Sequence, residues 1–353
     1  MGRKAVFSLL HFLSVVLTLL LLAAAVLSWR ASFVPPTEGR FWATLALLMP
    51  VILVANLVAL IVWLVRREWW VSVLPAAALL FNLGYIASMV RLPDIGGERT
   101  YDLRVGSLNV NGFRRLGKRA FTAHEIAQLA AREGIDVLCL QEFQDDSEVS
   151  ADSVASFFAG RMPHFVRDKG EAVISRFPIV RHGSVNFPQT NNGYLWADLD
   201  TGRDTVRVIS VHLQTSGISS LRHRFRKAHD REAPVDLVFG EVERNSRRRV
   251  EQVSQIRALV DSTRYPVILA GDFNDTPSSY TYRRLKGELN DGFRERGSGY
   301  GGTFRYLGGL LRIDYIFYDD SLRAVRYEIL KEDVSDHKAV VADLEFSNGR
   351  NGE

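Results

Sequence analysis

Side chains capable of acid–base chemistry and of ligand binding recur where apolar runs of this sequence end. Asn109 follows the run Val105–Leu108, and His212 follows Val208–Val211. The same placement beside an apolar run is found for Asn111, Glu142, Asp272, Asn274, Asp336 and His337. Open sheets gather ligand sites at strand ends, so the set predicts one shared site, although each residue alone is weak evidence.

Asp314 is more informative because it lies inside the apolar run Leu311–Phe317. Burying a carboxylate is unfavourable unless it is paired, so a partner such as His337 is expected. Taken alone, a strand-end glutamate such as Glu142 is usually solvated, and a single histidine such as His212 is more often structural. The functional interpretation therefore depends on the whole set.

The elements that must position these residues alternate between apolar strands and helices. The strand patterns predict Leu103–Asn109, Ile135–Gln141, Glu171–Ser175, Gly193–Leu199, Thr205–His212, Val267–Ala270, Leu311–Tyr318 and Ala339–Phe346. The helical patterns predict Thr122–Glu133, with Thr122 as its cap, and Ser150–Gly160, Val235–Ser262 and Ser279–Lys286. This alternation predicts an α/β fold in which two sheets pack face to face and helices cover them.

Three apolar stretches near the N-terminus, at about 5–28, 41–65 and 69–90, are each long enough to cross a membrane. A hydrocarbon core of roughly 30 Å needs about 20 helical residues. A bundled span tolerates the interruptions, which are Pro50, Asn56 and Asn82. The alternatives are a buried helical domain and a cleavable signal peptide, whose apolar region is usually only about 7–15 residues.

The change in composition along the chain predicts four regions. Residues 1–91 form the membrane anchor, and the Pro- and Gly-containing segment 92–102 is a linker. Residues 103–347 form the catalytic domain, and 348–353 are a short C-terminal tail.

Basic residues that flank the predicted spans suggest an orientation in the membrane. Arg3 and Lys4 precede the first span, and Arg66 and Arg67 lie in the short link between the second and third. Such residues favour the cytoplasmic side, so three spans place the catalytic domain outside the cytoplasm. The prediction is a multi-pass protein of the cell membrane, and the orientation is unchanged if the first span is cleaved.

The charge of the chain is unevenly distributed. Of 44 Lys and Arg residues, seven lie in residues 1–98, leaving 37 beyond; of 40 Asp and Glu residues, four lie there, leaving 36. The remainder is nearly neutral, which gives little reason to expect nucleic-acid binding by the domain as a whole. Cys139, the only cysteine, lies in an apolar run and is expected to be a buried, inert thiol.

Beyond Asp102 the sequence resembles the endonuclease/exonuclease/phosphatase superfamily, which includes deoxyribonuclease I, apurinic endonucleases, sphingomyelinases and inositol polyphosphate 5-phosphatases. The motifs that carry the resemblance occur in family order, at Ser107–Asn111, Leu140–Glu142, Ala172–Ile179, Ser210–Leu213, Gly271–Asn274, Arg312–Phe317 and Ser335–Val340. The resemblance implies a four-layer α/β sandwich of two mixed sheets flanked by helices, preceded here by three transmembrane helices. It also implies a metal-dependent hydrolase that acts on phosphate esters.

The resemblance further implies a role for each site residue. Glu142 is the main ligand of Mg²⁺ or Mn²⁺, with Asn109 beside it and Asp336 supporting the metal site. Oxygen ligands of this kind suit a hard divalent cation. The remaining implied roles are water activation by Asp272, orientation by Asn274, phosphoryl contacts by His212 and His337, positioning of His337 by Asp314, and a substrate contact by Thr303.

His212 indicates which branch of the superfamily the sequence resembles, because apurinic endonucleases tend to carry tyrosine at this position. A histidine is similar to the deoxyribonuclease, sphingomyelinase and phosphatase branches. The expected substrates are phospholipid headgroups, sugar or inositol phosphates, or nucleic acid. The alternatives are an extracytoplasmic nuclease and a non-catalytic phosphate- or lipid-binding module on the same fold. A transporter is disfavoured because no span carries a charged residue at mid-depth.

A basic segment follows the motif that ends at Leu213. It could contact anionic lipid or a polyanionic substrate through Arg222, Arg224, Arg226 and Lys227. A second cluster contains Arg244 and Arg247–Arg249. The alternative for both is an ordinary solvated surface.

Overall fold

The computed structural model describes residues 2–39, 41–93, 100–217 and 235–347. The C-terminal tail lies outside the described residues, as do four basic residues of the predicted lipid contact: Arg222, Arg224, Arg226 and Lys227.

The helices and strands follow the predicted order. The helices are α1 Arg3–Ala31, α2 Trp42–Val65, α3 Trp69–Phe81, α4 Leu83–Met89, α5 Arg119–Arg132, α6 Ala151–Phe158, α7 Val235–Ser262, α8 Tyr280–Lys286 and α9 Gly292–Arg296. The strands are β1 Val90–Arg91, β2 Leu103–Asn109, β3 Val137–Gln141, β4 His164–Asp168, β5 Glu171–Ser175, β6 Ile179–Asn186, β7 Gly193–Asp200, β8 Thr205–His212, β9 Val267–Asp272, β10 Asn290–Asp291, β11 Gly299–Tyr300, β12 Asp314–Tyr318, β13 Leu322–Ile329 and β14 Val340–Phe346.

The residues divide into two compact units. The helical unit combines 1–87 with two later segments, 217–247 and 276–283. The sandwich unit contains the remaining residues, including all of the strands. The first half of α7 therefore belongs to the helical unit and its second half to the sandwich unit.

Two helices of the helical unit, α1 and α2, are long and apolar enough to cross a membrane. The pair α3 and α4 would make a third span if the two helices are counted together, but they meet at a bend of 59°. The predicted third span is therefore interrupted. The break falls at Asn82, whose side-chain amide donates to the carbonyl of Ala78 at 2.9 Å. Such a side-chain bond competes with the helical backbone pattern.

Polar side chains inside the helical unit bond to neighbouring helices. Asn56 of α2 is fully buried, and its amide donates to the carbonyls of Leu21 at 3.2 Å and Ile52 at 2.9 Å. The indole of Trp63 donates to the hydroxyl of Thr18 at 2.9 Å. These contacts explain how an apolar bundle accommodates the polar residues that interrupt its helices.

The sandwich unit contains two six-stranded mixed sheets. The first has the order β10-β12-β9-β8-β7-β6 and the second β13-β14-β2-β3-β5-β4. In each sheet one pair of neighbours is parallel, β8 with β9 and β2 with β3. A short two-stranded sheet pairs β1 with β11. The predicted α/β fold with two mixed sheets flanked by helices is confirmed.

Apolar side chains from both sheets form the central core. Val105 and Val137 of the second sheet pack with Val208 and Ile268 of the first. A second core, which includes Leu138, lies between the second sheet and the helices α5 and α6. Cys139 is buried as expected, and burial raises the pKa of its thiol to about 12.

Two details differ from the sequence prediction. Helix α5 begins at Arg119, so Thr122 lies within it, and the Thr122 hydroxyl donates to the carbonyl of Lys118 instead of capping the helix. Three long strands were not predicted, namely β4, β6 and β13. Strand β6 lies at a sheet edge with most of its side chains partly or fully exposed, and β13 contains a bulge after Ala324. Both features weaken the alternating apolar pattern.

Candidate active site

Asp272 lies at the centre of the predicted set. It ends β9 and is only 1% exposed. Its Oδ2 accepts hydrogen bonds from Asn109 Nδ2 at 3.0 Å and Asn274 Nδ2 at 3.2 Å, and its Oδ1 accepts from the backbone of Asn274 at 2.9 Å. Burial raises the pKa of Asp272 to about 7, although the nearby His337 acts in the opposite direction.

Gly271 permits the close strand pairing that places Asp272. Its φ is 147°, and a Cβ at this position would lie 2.0 Å from the carbonyl oxygen of Val211. Only glycine fits between β9 and β8 here. The parallel pairing then brings Asp272 opposite His212, and the antiparallel pairing with β12 brings it opposite Asp314.

Asp314 and His337 form the expected pair. The Nδ1 of His337 lies 3.0 Å from both carboxylate oxygens of Asp314, and its Nε2 lies 3.8 Å from Asp272 Oδ2. Burial alone lowers the pKa of His337, but the carboxylates of Asp314 and Asp272 outweigh it and raise the pKa to about 10. The imidazole is therefore a cation at neutral pH, with its Nδ1 proton directed at Asp314.

His212 occupies a different environment on the other side of Asp272. Its Nε2 lies 3.6 Å from Glu142 Oε1 and 3.8 Å from Asp272 Oδ2, distances too long for hydrogen bonds. Within the described residues its buried Nδ1 has no hydrogen-bond partner. Burial lowers the pKa of His212, so this imidazole is neutral at neutral pH.

Glu142 lies at the open side of the site, directly after β3. Its φ is 55° and its side chain is 36% exposed. Asn109 Nδ2 donates to Glu142 Oε1 at 3.0 Å, while Asn109 Oδ1 accepts from the backbone of Asn111 at 3.0 Å. In this orientation Asn109 is a hydrogen-bond donor to Glu142, and its amide oxygen does not face the carboxylate.

Asp336 precedes His337 on the loop that leads to β14. Burial raises the pKa of Asp336, and the negative charge of Glu142 adds to the increase. Ser335 connects this loop to β2, because its hydroxyl donates to the carbonyl of Asn109 at 2.6 Å. Across the described residues, neither Glu142 nor Asp336 forms an ion pair with a lysine or an arginine.

Thr303 is fully buried beside Asp314. Its hydroxyl accepts hydrogen bonds from the backbone of Ile313 at 3.1 Å and of Asp314 at 3.2 Å. These bonds fix the start of β12. The hydroxyl is therefore placed to hold Asp314, and the substrate contact of Thr303 stays a prediction.

Two further polar groups support the site, and the sequence interpretation gave neither of them a place in it. Gln141 is buried, and its amide donates to the hydroxyl of Ser210 in the opposite sheet at 3.0 Å. Arg249 is 1% exposed, and its guanidinium donates to Asp275 at 3.0 Å and to the carbonyl of Gln214 at 2.8 Å. Arg249 is therefore buried, and the alternative of an ordinary solvated surface does not hold for it. The sequence did carry a signal for Gln141, since it is an amide side chain directly before Glu142.

The donor set fits a divalent cation on the side of Glu142 and Asp336. The negative charge of Glu142 contributes to the raised pKa of Asp336, and oxygen ligands of this type suit Mg²⁺ or Mn²⁺. A second acidic group, formed by Asp272, Asp314 and His337, also has its potential ligand atoms within 4.8 Å of one another. In that group Nδ1 of His337 is already bonded to Asp314, which favours the Glu142 side as the candidate metal site.

The chain belongs to the endonuclease/exonuclease/phosphatase family, whose sequence model matches residues 106–337. Members of this family hydrolyse phosphate esters and generally depend on divalent metal ions, and the chain is a hydrolase that acts on phosphate esters. A second sequence model, described as a domain of unknown function (DUF8431), matches residues 7–89. No curated protein matches the chain at a significant level.

Solved structures share the fold of the sandwich unit at low sequence identity. An endonuclease/exonuclease/phosphatase from Beutenbergia cavernae is 22% identical with a TM-score of 0.53, covering 70% of this chain and 72% of that one. Sphingomyelinase C from Streptomyces griseocarneus is 22% identical with a TM-score of 0.52, covering 68% and 98%. A family protein from Bacteroides thetaiotaomicron is 19% identical with a TM-score of 0.50, covering 72% and 99%.

Proposed function

We propose that the protein is a divalent-metal-dependent phosphoesterase held at a membrane by its N-terminal helices. The observation that carries this proposal is Asp272, a buried carboxylate that faces His212 and His337 and has a pKa near 7. A general base works best when its pKa lies close to the working pH. Asp272 is therefore suited to accept a proton from water in the site.

Glu142 and Asp336 would hold Mg²⁺ or Mn²⁺, and Asn109 would fix the Glu142 carboxylate through its amide hydrogen bond. When bound, the cation neutralises charge on the phosphoryl oxygens and on the leaving oxygen. Asn109 was expected to be a metal ligand. Its hydrogen bonds to Glu142 and Asp272 support a positioning role for its amide group instead.

In the proposed step, the oxygen of a water forms a bond to phosphorus as the bond from phosphorus to the leaving oxygen breaks. Asp272 accepts the proton of this water, and Asn274 orients the carboxylate through its two hydrogen bonds. The imidazolium of His337 donates from Nε2 to a phosphoryl oxygen, while Asp314 holds the opposite nitrogen. His212 supplies a second, neutral contact to the phosphoryl group.

The candidate membrane helices favour a substrate at the bilayer surface, and we propose a phospholipid headgroup ester. Likeness in fold to a sphingomyelinase C is compatible with this substrate class. The nearly neutral charge beyond residue 98 disfavours long nucleic acid. We propose further that the chain spans the cell membrane several times with the catalytic region outside the cytoplasm. Anionic lipid contact through Arg222, Arg224, Arg226 and Lys227 stays a prediction.

The test uses the full chain in lipid nanodiscs with Mg²⁺ or Mn²⁺, and again with EDTA. The substrates are bis-p-nitrophenyl phosphate, p-nitrophenyl phosphate, inositol phosphates, plasmid DNA and a phospholipid panel. We expect metal-dependent cleavage of a phospholipid that Asp272→Asn lowers about 10²–10⁴-fold. Asp152→Asn, at an exposed carboxylate of α6, is the matched control and should be unchanged.

The outcomes separate the alternatives. Cleavage of DNA alone, with a rate that falls steeply as salt increases, would replace the lipid proposal by a nuclease. Metal binding without turnover of any substrate would favour a non-catalytic binding module. Activity of Asp272→Asn equal to that of the wild type would remove Asp272 as the base. A reporter fused after Glu353 that labels as cytoplasmic would overturn the proposed topology.

A further inference from the structure

Asn274, which the proposed function places beside the general base, has an unusual backbone conformation. Its φ is 52°, in the left-handed region that residues other than glycine seldom adopt. Such a conformation persists only where surrounding contacts hold it. Part of this support comes from its own side chain, because Nδ2 donates to the carbonyl of Leu213 at 2.9 Å and to Asp272. The contacts of the chain around Asn274 therefore affect how well it orients the Asp272 carboxylate.

The loop that follows β8 contacts Asn274 directly. Residues 213–216, which we call the β8 loop, come immediately after His212. Ser216 Oγ donates a hydrogen bond to the carbonyl oxygen of Asn274 at 2.7 Å. The β8 loop is thus joined both to the side chain of Asn274, through the carbonyl of Leu213, and to its carbonyl, through Ser216. Any displacement of the β8 loop would therefore be transmitted to Asn274.

Arg249 of α7 bonds to the chain on both sides of this contact, and its side chain is only 1% exposed. Its Nη1 donates to the carbonyl of Gln214 at 2.8 Å and to Ser216 Oγ at 3.2 Å. Its Nη2 and Nε donate to Asp275 Oδ2 at 3.0 and 3.2 Å. The planar fork of a guanidinium can make these bonds together, whereas lysine offers a single nitrogen. One buried cation therefore fixes the β8 loop and the residue directly after Asn274.

Two further side chains complete the arrangement. Gln252 lies three residues after Arg249 on α7 and so on the same face of the helix, and its Oε1 accepts from the backbone nitrogen of Gln214 at 2.9 Å. The hydroxyl of Tyr315 in β12 donates to the carbonyl of Asp275 at 2.8 Å. All of these residues belong to the sandwich unit, as does the part of α7 that begins at residue 248. The contacts thus lie within one compact unit.

We propose that Arg249 and Ser216 are positioning residues for the hydrolytic reaction, and that they act through Asn274. This inference rests on the proposed function, which makes Asp272 the base and Asn274 the group that orients it. Arg249 is buried and its charge is paired with Asp275, so it contributes geometry and does not bind the substrate. Loss of either positioning residue should therefore slow the chemical step and leave substrate binding unchanged.

The first test removes one hydroxyl from the full-length protein in nanodiscs. The quantities measured are kcat and KM for bis-p-nitrophenyl phosphate and for the phospholipid that the wild type cleaves fastest. We expect Ser216→Ala to lower kcat about tenfold with KM unchanged, because small misplacements of catalytic groups reduce rates strongly. Ser216→Thr keeps the hydroxyl and should restore most of kcat. Ser254→Ala is the control, because that exposed hydroxyl bonds to the carbonyl of Val250 within α7.

The second test compares two buried arginines. Arg207, at the start of β8, pairs with Asp198 through two bonds of 2.6 and 2.8 Å, and its side chain is 11% exposed. Lysine at either position keeps the charge but loses the fork, so both Arg249→Lys and Arg207→Lys should lower the melting temperature. At a temperature where both variants are folded, only Arg249→Lys should lower kcat, by about tenfold or more with KM unchanged. Equal losses of kcat in the two variants would reduce Arg249 to a general stabilising role and overturn the proposal.

Hydrogen exchange at the backbone amide of Asn274, which donates to Asp272, gives a readout that does not require activity. We expect faster exchange in Ser216→Ala and Arg249→Lys, and wild-type exchange in Ser216→Thr and Arg207→Lys. Wild-type kcat in Ser216→Ala or, if no substrate is turned over, wild-type exchange in that variant would overturn the positioning role. A wild-type protein that is inactive on every substrate contradicts the proposed function alone, and the exchange measurement still decides this inference.

Discussion

The two sides of the candidate site are built differently. On the inner side, Asp314 and His337 are almost fully buried and bonded to each other at 3.0 Å. On the outer side, the Glu142 side chain is 36% exposed, and neither Glu142 nor Asp336 forms an ion pair with a lysine or an arginine within the described residues. Asp272 lies between them, next to the imidazolium of the inner side.

On the inner side the chain supplies the positive charge itself, whereas on the outer side a ligand would have to supply it. The inner side already has a cation, the imidazolium of His337, which a carboxylate holds in one orientation and which the proposed mechanism directs to a phosphoryl oxygen. The outer side has two carboxylates without a lysine or arginine partner among the described residues, and a divalent cation bound there would neutralise their charge. Variants on the two sides should therefore fail in different ways.

The largest effect is expected from Asp314→Asn on the inner side. The amide cannot hold a charged imidazole, so His337 loses both its orientation and the interaction that keeps it protonated. We expect kcat to fall about 10²-fold or more, with the Mg²⁺ concentration for half-maximal activity unchanged. The measurement is a Mg²⁺ titration of steady-state turnover.

A shifted Mg²⁺ requirement in Asp314→Asn would show that the inner side also binds the metal, against the assignment made from the His337 contact. Asp152→Asn serves as the control, and a thermal melt of each variant checks that the fold is retained.

Glu142→Gln on the outer side should change the metal dependence instead. Loss of one charged ligand should raise the Mg²⁺ concentration for half-maximal activity about 10–100-fold, while saturating Mg²⁺ recovers part of the rate. The same titration measures it, with the exposed Glu288→Gln as the matched control. A Mg²⁺ titration that is unchanged in Glu142→Gln would exclude Glu142 as a metal ligand. The two sides would then not differ in metal binding as proposed.

Much of this contrast was predictable from residue types at strand ends. A carboxylate inside an apolar run predicted the Asp314–His337 pair, because an unpaired buried charge is unfavourable. The strands Leu103–Asn109, Glu171–Ser175 and Thr205–His212 were predicted with their observed bounds, since each is nearly all buried and so reads as a continuous apolar run.

Other features depend on contacts between distant parts of the chain. The bond between Gln141 and Ser210 crosses two sheets, and the bond between Ser278 and Ala46 joins segments far apart in sequence. No local pattern marks either pair. The orientation of the Asn109 amide is set by the backbone of Asn111 and by two carboxylates, so it too requires the folded structure.

Glu171 is a second buried carboxylate whose pKa burial raises, and it can be compared with Asp272. It is 2% exposed, and burial, with the charge of Asp168, raises its pKa to about 8. The folded state therefore keeps a proton that the unfolded chain loses above pH ~4.5. Stability contributed by this proton is complete below that pH and is lost as the pH rises towards 8.

Glu171→Gln should remove this pH dependence while leaving turnover near the wild-type level, the smallest effect of the series. Wild-type stability should fall by up to about 1.4 kcal/mol for each pH unit between roughly 5 and 8. The variant should therefore match the wild type near pH 5 and be more stable near pH 8. Thermal unfolding of both full-length proteins across this range measures the difference. Parallel curves would show that Glu171 is ionised in the folded state, and that the groups around it offset the effect of burial on its pKa, which the imidazolium of His337 does only in part for Asp272.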